Sequence, residues 1–221
     1  MVTTDRLSSL LNASVMRYLL ILLLAGWSAA ASAKITHIRY TVHTCGADSA
    51  QLPTHWDLYL DGDRYRLEEV GVEFPVVWLG QIHAQTYDAL LPIFGMSIAL
   101  LDQTCSMLPW KRESEAAWPA CLDEVISGGK HPIIAGLEAQ AYATDQGAVA
   151  WLSADRMESP CVLGFPRLPL AFPLTDSDGA WLVMEFLSAS EEDVEFEVGD
   201  EYTPTSRESL RDLLPSLDHL D

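Results

Sequence analysis

The chain has 221 residues, 49% of them hydrophobic and 20% charged, with 32 Asp and Glu against 13 Lys and Arg and a formal net charge of −19. That apolar fraction excludes a disordered chain, and the length fits one ordinary domain. A surface so short of cations repels phosphate backbones and anionic headgroups, which excludes nucleic acid as a partner.

Met16-Arg17 precede the apolar run Tyr18 to Gly26, and small residues then lead to Ala31-Ser32-Ala33 before Lys34. The run is about half of the roughly 20 residues that a spanning helix needs, and Ala31 and Ala33 suit a signal peptidase. Residues 1–33 therefore read as a signal peptide cleaved near Ala33, with translation starting at Met1 or Met16, and the mature chain as periplasmic or secreted. The leader carries Arg6, Arg17 and Asp5, so cleavage makes the net charge one unit more negative. All four cysteines, Cys45, Cys105, Cys121 and Cys161, lie beyond it, and an oxidising compartment favours two disulfides. Three pairings are open; Cys105 with Cys121 costs least to close because it is nearest in the chain. No Cys-x-x-Cys spacing is present, and neither a metal nor a cofactor is expected.

In the mature chain, β-branched and aromatic residues from Ile35 to Thr44 predict a first strand, on which His37 and His43 share one face as solvated side chains. Trp56, Leu58 and Leu60 then alternate with His55, Asp57 and Tyr59; Asp61-Gly62 offers a turn, and Asp63 to Val70 continues as the second arm of a hairpin. With that turn, Leu58 faces Tyr65 and Trp56 faces Leu67, while Asp57 faces Arg66 on a wet reverse side. Phe74 to Gly80 and His83 to Leu91 predict two more strands, and Leu90 to Leu101 is apolar without a decisive period. Between Asp102 and Gly129 alternation stops, and Trp118-Pro119 opens a short helix ending at Gly128. Ile133 to Thr144, a turn at Asp145-Gln146-Gly147 and Ala148 to Ser153 form a second hairpin. Pro166, Pro169 and Pro173 mark Gly164 to Leu174 as an edge or lip. Trp181 to Leu187 and Val194 to Val198 follow as strands. Thr205-x-x-Glu208 caps an amphipathic helix carrying Leu210, Leu213, Leu214 and Leu217.

Large apolar side chains occur on nearly every strand, and two short helices are too few to cover them all. Uncovered apolar surface of this kind forms a ligand groove. Trp56, Leu58, Tyr65, Val77, Trp151 and Met184 are the candidate lining. A second signal is Gly95-x-Ser97-x-Ala99, an imperfect nucleophile elbow; a serine hydrolase built on it needs a parallel sheet, whereas this chain is rich in hairpins.

The segments from Trp56 to Arg66, Ile134 to Tyr142, Ala150 to Ser153 and Val194 to Tyr202 occur in an order that resembles uncharacterised exported proteins similar to the periplasmic lipoprotein carrier and the outer-membrane lipoprotein receptor. The resemblance covers most of residues 35–204. It implies a mainly β (α+β) fold: a curved antiparallel sheet forming an incomplete barrel, closed by one or two short helices. Gly199 stands where that family usually has proline, and the cysteines and the stretch from Asp102 to Gly129 depart from it. The expectation is a single domain over residues 34–221 with a C-terminal amphipathic helix, a non-enzyme that holds an acyl chain or other lipid in its concave face. A hydrolase using Ser97, and a structural or partner-binding envelope module with no ligand, are the alternatives.

Overall fold

The computed structural model describes residues 34–45, 52–101, 110–113, 116, 118–123, 126, 132–155, 158–174, 179–190 and 192–206. Thirteen strands among them form one curved, unclosed sheet. β1 (Ile35–Thr44) lies in its middle. On one side β2 (His55–Asp61), β3 (Arg64–Val70), β4 (Val77–Gln81), β5 (Thr86–Leu91) and β6 (Met96–Leu101) follow as an antiparallel meander. On the other side lie β12 (Ala180–Ser190), β11 (Pro169–Pro173), β10 (Val149–Ser153), β9 (Leu137–Ala143) and the two-residue β7 (Lys111–Arg112). β8 (Ile133–Ile134) pairs with β9, and β13 (Thr203–Pro204) runs parallel to β6 at the far edge. The expected mainly β architecture is present. Among the described residues helical geometry is confined to 3-10 turns at Pro92–Phe94, Ala120–Leu122 and Cys161–Leu163. The leader and the predicted C-terminal helix beyond Ser206 lie outside the described residues, as does Cys105.

Several local expectations need correction. The β2–β3 loop is Gly62-Asp63, with positive φ at Gly62 but not at Asp63, as in a turn that takes glycine first. Leu58 therefore faces Leu67 and Leu60 faces Tyr65. This slip of two residues preserves both faces. Ile133 to Thr144 is broken by Ala135 and Gly136, both at positive φ, into the separate strands β8 and β9. Strand β11 is interior to the sheet rather than an edge; its prolines stand at its two ends, beside a register shift at Trp151/Leu152, where missing N–H donors cost least. The stretch Val194 to Val198 is not a strand. It lies beside β3 through Arg66 Nη1 donating to the Glu195 carbonyl at 3.0 Å and the Arg64 guanidinium 5.2 Å from the Phe196 ring.

Residues paired across an antiparallel ladder share a face, so the register sorts every strand residue. Tyr40 pairs with Trp56 and Met184, Leu58 with Ile38 and Leu67, and Trp78 with Leu67 and Ala89. These define the Trp56 face. Arg39 pairs with Asp57 and Phe186, Asp57 with Glu68, and Glu68 with Val77, which defines the opposite, Asp57 face. A bulge at Glu185 keeps Met184 and Phe186 on opposite faces although they are two residues apart.

Candidate functional site

The Trp56 face is mostly apolar from β11 to β6, with the Glu69 carboxylate of β3 opposite Trp56. Tyr40, Leu58, Tyr65, Leu67 and Met184 are at most 2% exposed and form its floor, while Trp56, Trp78 and Tyr87 are half-buried. The rings of Trp56 and Trp78 lie 5.8 Å apart, and Trp56 meets Phe172 at 6.3 Å. Tyr40 anchors this floor by donating its hydroxyl to the Pro169 carbonyl at 3.0 Å. Tyr65 lies over Gly80, whose missing side chain leaves room for the ring: a Cβ there would stand 3.0 Å from it. Towards the β6 edge, Phe74 and Ile93 are at least half exposed, and Phe74 stacks on Phe94 at 6.0 Å. The indole Nε1 of Trp56 is buried without a hydrogen-bond partner, an unmet donor inside an apolar surface.

Of the six predicted lining residues, the structure brings together Trp56, Leu58, Tyr65 and Met184. Val77 is on the other face, packed with Leu79, Leu90 and Tyr202, because the slip-free β3–β4 register sets it opposite Glu68. Trp151 is likewise on the Asp57 face, paired with Ala141 and Ala171. There Trp118 meets it edge-on at 4.6 Å and lies 6.5 Å from Trp181, so the crossing segment that includes Trp118, Leu122 and Ile126 covers this end of the face. Cys121 in that segment is bonded to Cys45 at the end of β1, which corrects the expected Cys105–Cys121 pair. Closing 76 rather than 16 residues differs by only about 1.4 kcal/mol of chain entropy, so native geometry decides the pairing. Cys161 is also disulfide-bonded, and no described cysteine is a free thiol.

The Asp57 face holds a cluster that the sequence reading missed. Asp57 is 5% exposed, not on a wet surface, and its partner is Arg39 rather than Arg66. Arg39 Nε and Nη2 donate to its two oxygens at 2.8 and 3.0 Å, His37 Nε2 stands 2.8 Å from Oδ1, and His55 Nε2 is 3.4 Å from Oδ2. His37 is buried between Tyr59, stacked at 4.5 Å, and the edge of Phe186 at 5.3 Å; it is not a solvated strand histidine. Burial raises the Asp57 carboxyl, but the hydrogen bonds and charges of Arg39 and His37 outweigh it and hold the group below the ordinary carboxylate range. Burial, with the nearby Asp57 charge, pushes the Tyr59 phenol up to about 12. Both carboxylate oxygens are engaged, so the cluster acts as a pin between β1 and β2. Arg66 turns instead to Glu68. Ser97 is buried inside β6, with its carbonyl accepting from Thr205 N–H at 2.8 Å, and Gly95 closes the turn that precedes the strand. An elbow runs from strand into helix; here a turn runs into a strand.

No family model matches the sequence, and no curated protein matches it. Among solved structures the chain is similar to PNGF-II in its C2 space group, with a TM-score of 0.52 and 11% identity over 83% of this chain and 33% of that one. The same protein in its P21 space group gives 0.49 and 11% over 83% and 34%. The chain thus spans about a third of the PNGF-II length, and a likeness this distant concerns the fold alone.

Proposed function

We propose that the chain is an exported binding protein of the lipoprotein-carrier type, which holds a hydrophobic ligand with an alkyl chain on the Trp56 face of its half-barrel. The observation that carries this reading is the half-buried ridge of Trp56, Trp78 and Tyr87 above an apolar floor, with one buried indole N–H left unpaired. Surfaces that are mostly aromatic and aliphatic, with a single placed polar group, are what small apolar ligands use. Export is supported by the Cys45–Cys121 disulfide, which suits an oxidising compartment, and among the described residues no helix is long and apolar enough to cross a membrane.

Titration of the folded protein with alkyl ligands of increasing length, followed by tryptophan fluorescence, tests the reading. One saturable site is expected, with affinity rising about fourfold per methylene until the groove is filled, from the roughly 0.8 kcal/mol each buried methylene contributes. No saturable uptake at any length would favour a structural or partner-binding envelope module.

A further inference from the structure

The connection from β10 to β11 joins more than its two neighbours. β4 and β10 stand on opposite sides of β1, yet this connection leaves β10 at Ser153, meets the β4–β5 turn and returns to β11 at Pro169. At the turn Cys161 N–H donates to the Ile82 carbonyl at 2.9 Å, and His83 Nε2 stands 3.2 Å from Glu158 Oε2. On the way back the Gly164 carbonyl accepts from Trp110 Nε1 at 2.9 Å, and the Phe165 ring lies 5.0 Å from that of Phe172. Phe172 pairs with Leu182 and Leu182 with Val42, so Phe165 packs on the Trp56 face. Residues 158–165 thus bridge the two flanks at one end of that face. Cys161, at the tip of the bridge, is disulfide-bonded. Cys45 and Cys121 are bonded to each other, and the sequence has one further cysteine, Cys105. Leu101 pairs with Thr86 beside the same β4–β5 turn, and the four residues that separate it from Cys105 reach up to about 14 Å.

We propose that Cys161 is bonded to Cys105 and that this disulfide is a redox latch, which fastens the bridge to the meander and slows ligand exchange on the Trp56 face. The regulatory part rests on the Trp56 face being the binding site; the pairing does not. Opening the latch breaks the sulfur–sulfur bond and leaves two thiols, with the two electrons and two protons supplied by a dithiol that closes to its own disulfide. The described contacts that then still hold the tip to the turn are one backbone hydrogen bond and the exposed His83–Glu158 pair, and an exposed pair contributes little.

Non-reducing proteolysis and mass spectrometry of the native protein should yield Cys105 joined to Cys161; Cys161 joined to any other cysteine overturns the pairing. The latch is then opened in two independent ways, by Cys105→Ser together with Cys161→Ser, and by dithiothreitol acting on Cys45→Ser together with Cys121→Ser, where it is the disulfide that remains. Circular dichroism confirms folding of each. In the ligand-free protein the amide of residue 161 should exchange with solvent severalfold faster once the bond is open, while the β2 amides keep their protection. Dissociation of a bound alkyl methyl ester, followed by stopped-flow tryptophan fluorescence, should accelerate severalfold as well. Unchanged exchange at residue 161 overturns the latch. Faster exchange there with an unchanged dissociation rate overturns its control of the ligand and leaves the binding site in place. A native protein that takes up no alkyl ligand overturns the site itself, while the pairing and exchange results still stand.

Discussion

The two flanks of β1 solve the burial problem differently. In the β2–β6 meander burial is mixed: β3 alternates, burying Tyr65 and Leu67 and leaving Arg66 and Glu68 at the solvent boundary, whereas β2 buries Asp57, Leu58 and Tyr59 in a row. In β10 and β11 nearly every residue is buried, because the crossing segment with Trp118 and Leu122 covers the Asp57 face there while Trp110 and Phe165 pack on the cluster that holds Phe172. Three of the four described side-chain atoms that are buried without partners lie on that doubly covered flank, Trp118 Nε1, Trp151 Nε1 and Ser153 Oγ; the fourth is Trp56 Nε1 in the meander. The covered flank supplies stability. The meander flank keeps half-buried aromatics, Trp56, Trp78 and Tyr87, on its Trp56 face.

The largest expected effect comes from breaking the floor common to both flanks. Leu58 has no exposure, and Leu58→Asp places an unpaired charge in apolar surroundings, so the protein should not fold; circular dichroism and size-exclusion chromatography check this. Leu58→Ala, which leaves a cavity, should cost about 2–5 kcal/mol in urea unfolding.

Next comes the tether of the covered flank. Cys45→Ser together with Cys121→Ser should lower stability by about 4.5 kcal/mol, the chain-entropy value for a loop of 76 residues. Protection from hydrogen exchange should fall in β10–β12 more than in β3–β5. Uniform loss of protection would mean that the segment is not what distinguishes the flanks.

The Asp57 pin should matter somewhat less. Removing one partner of a buried ion pair strands the other, so Asp57→Ala should cost about 3 kcal/mol by denaturant unfolding. The folded Asp57 pKa is depressed, so its contribution is present above the unfolded value near 4 and is lost as pH falls through the folded value. Asp57→Asn should flatten that acid limb. An unchanged limb would show that Asp57 is not held as described. At the small end, Lys111 and Asp145 form an exposed pair at 2.7 Å with both side chains about two-thirds accessible, and Asp145→Ala should change stability by less than about 1 kcal/mol.

The alternating flank was the more legible. Trp56, Leu58 and Leu60 against Asp57 and Tyr59 announce their two faces, and even a register error of two residues leaves those faces intact. Asp57 was misplaced because its partner Arg39 lies on β1, and hairpin reasoning supplies only β3 as a neighbour. The signal was present: His37, Arg39 and His43 alternate with Ile38, Tyr40 and Val42, matching β2 once β1 is laid beside it. The covered flank was less legible. Near-continuous apolar runs such as Ala150 to Leu152 do not say which face a residue takes, so Trp151 was assigned to the wrong one. The crossing segment has no period at all, and its disulfide follows from tertiary geometry.

The tryptophans themselves provide the most direct measurement. Trp56 and Trp78 belong to the Trp56 face, whereas Trp118, Trp151 and Trp181 belong to the covered Asp57 face. With indole nitrogens isotopically labelled, NMR resolves each N–H during titration with an alkyl methyl ester. The Trp56 and Trp78 resonances should move saturably, with Trp56 shifting downfield as its N–H gains an acceptor, while those of Trp118, Trp151 and Trp181 stay in place. Movement confined to the covered set, or saturable binding that leaves Trp56 unmoved, would contradict a ligand site on the Trp56 face.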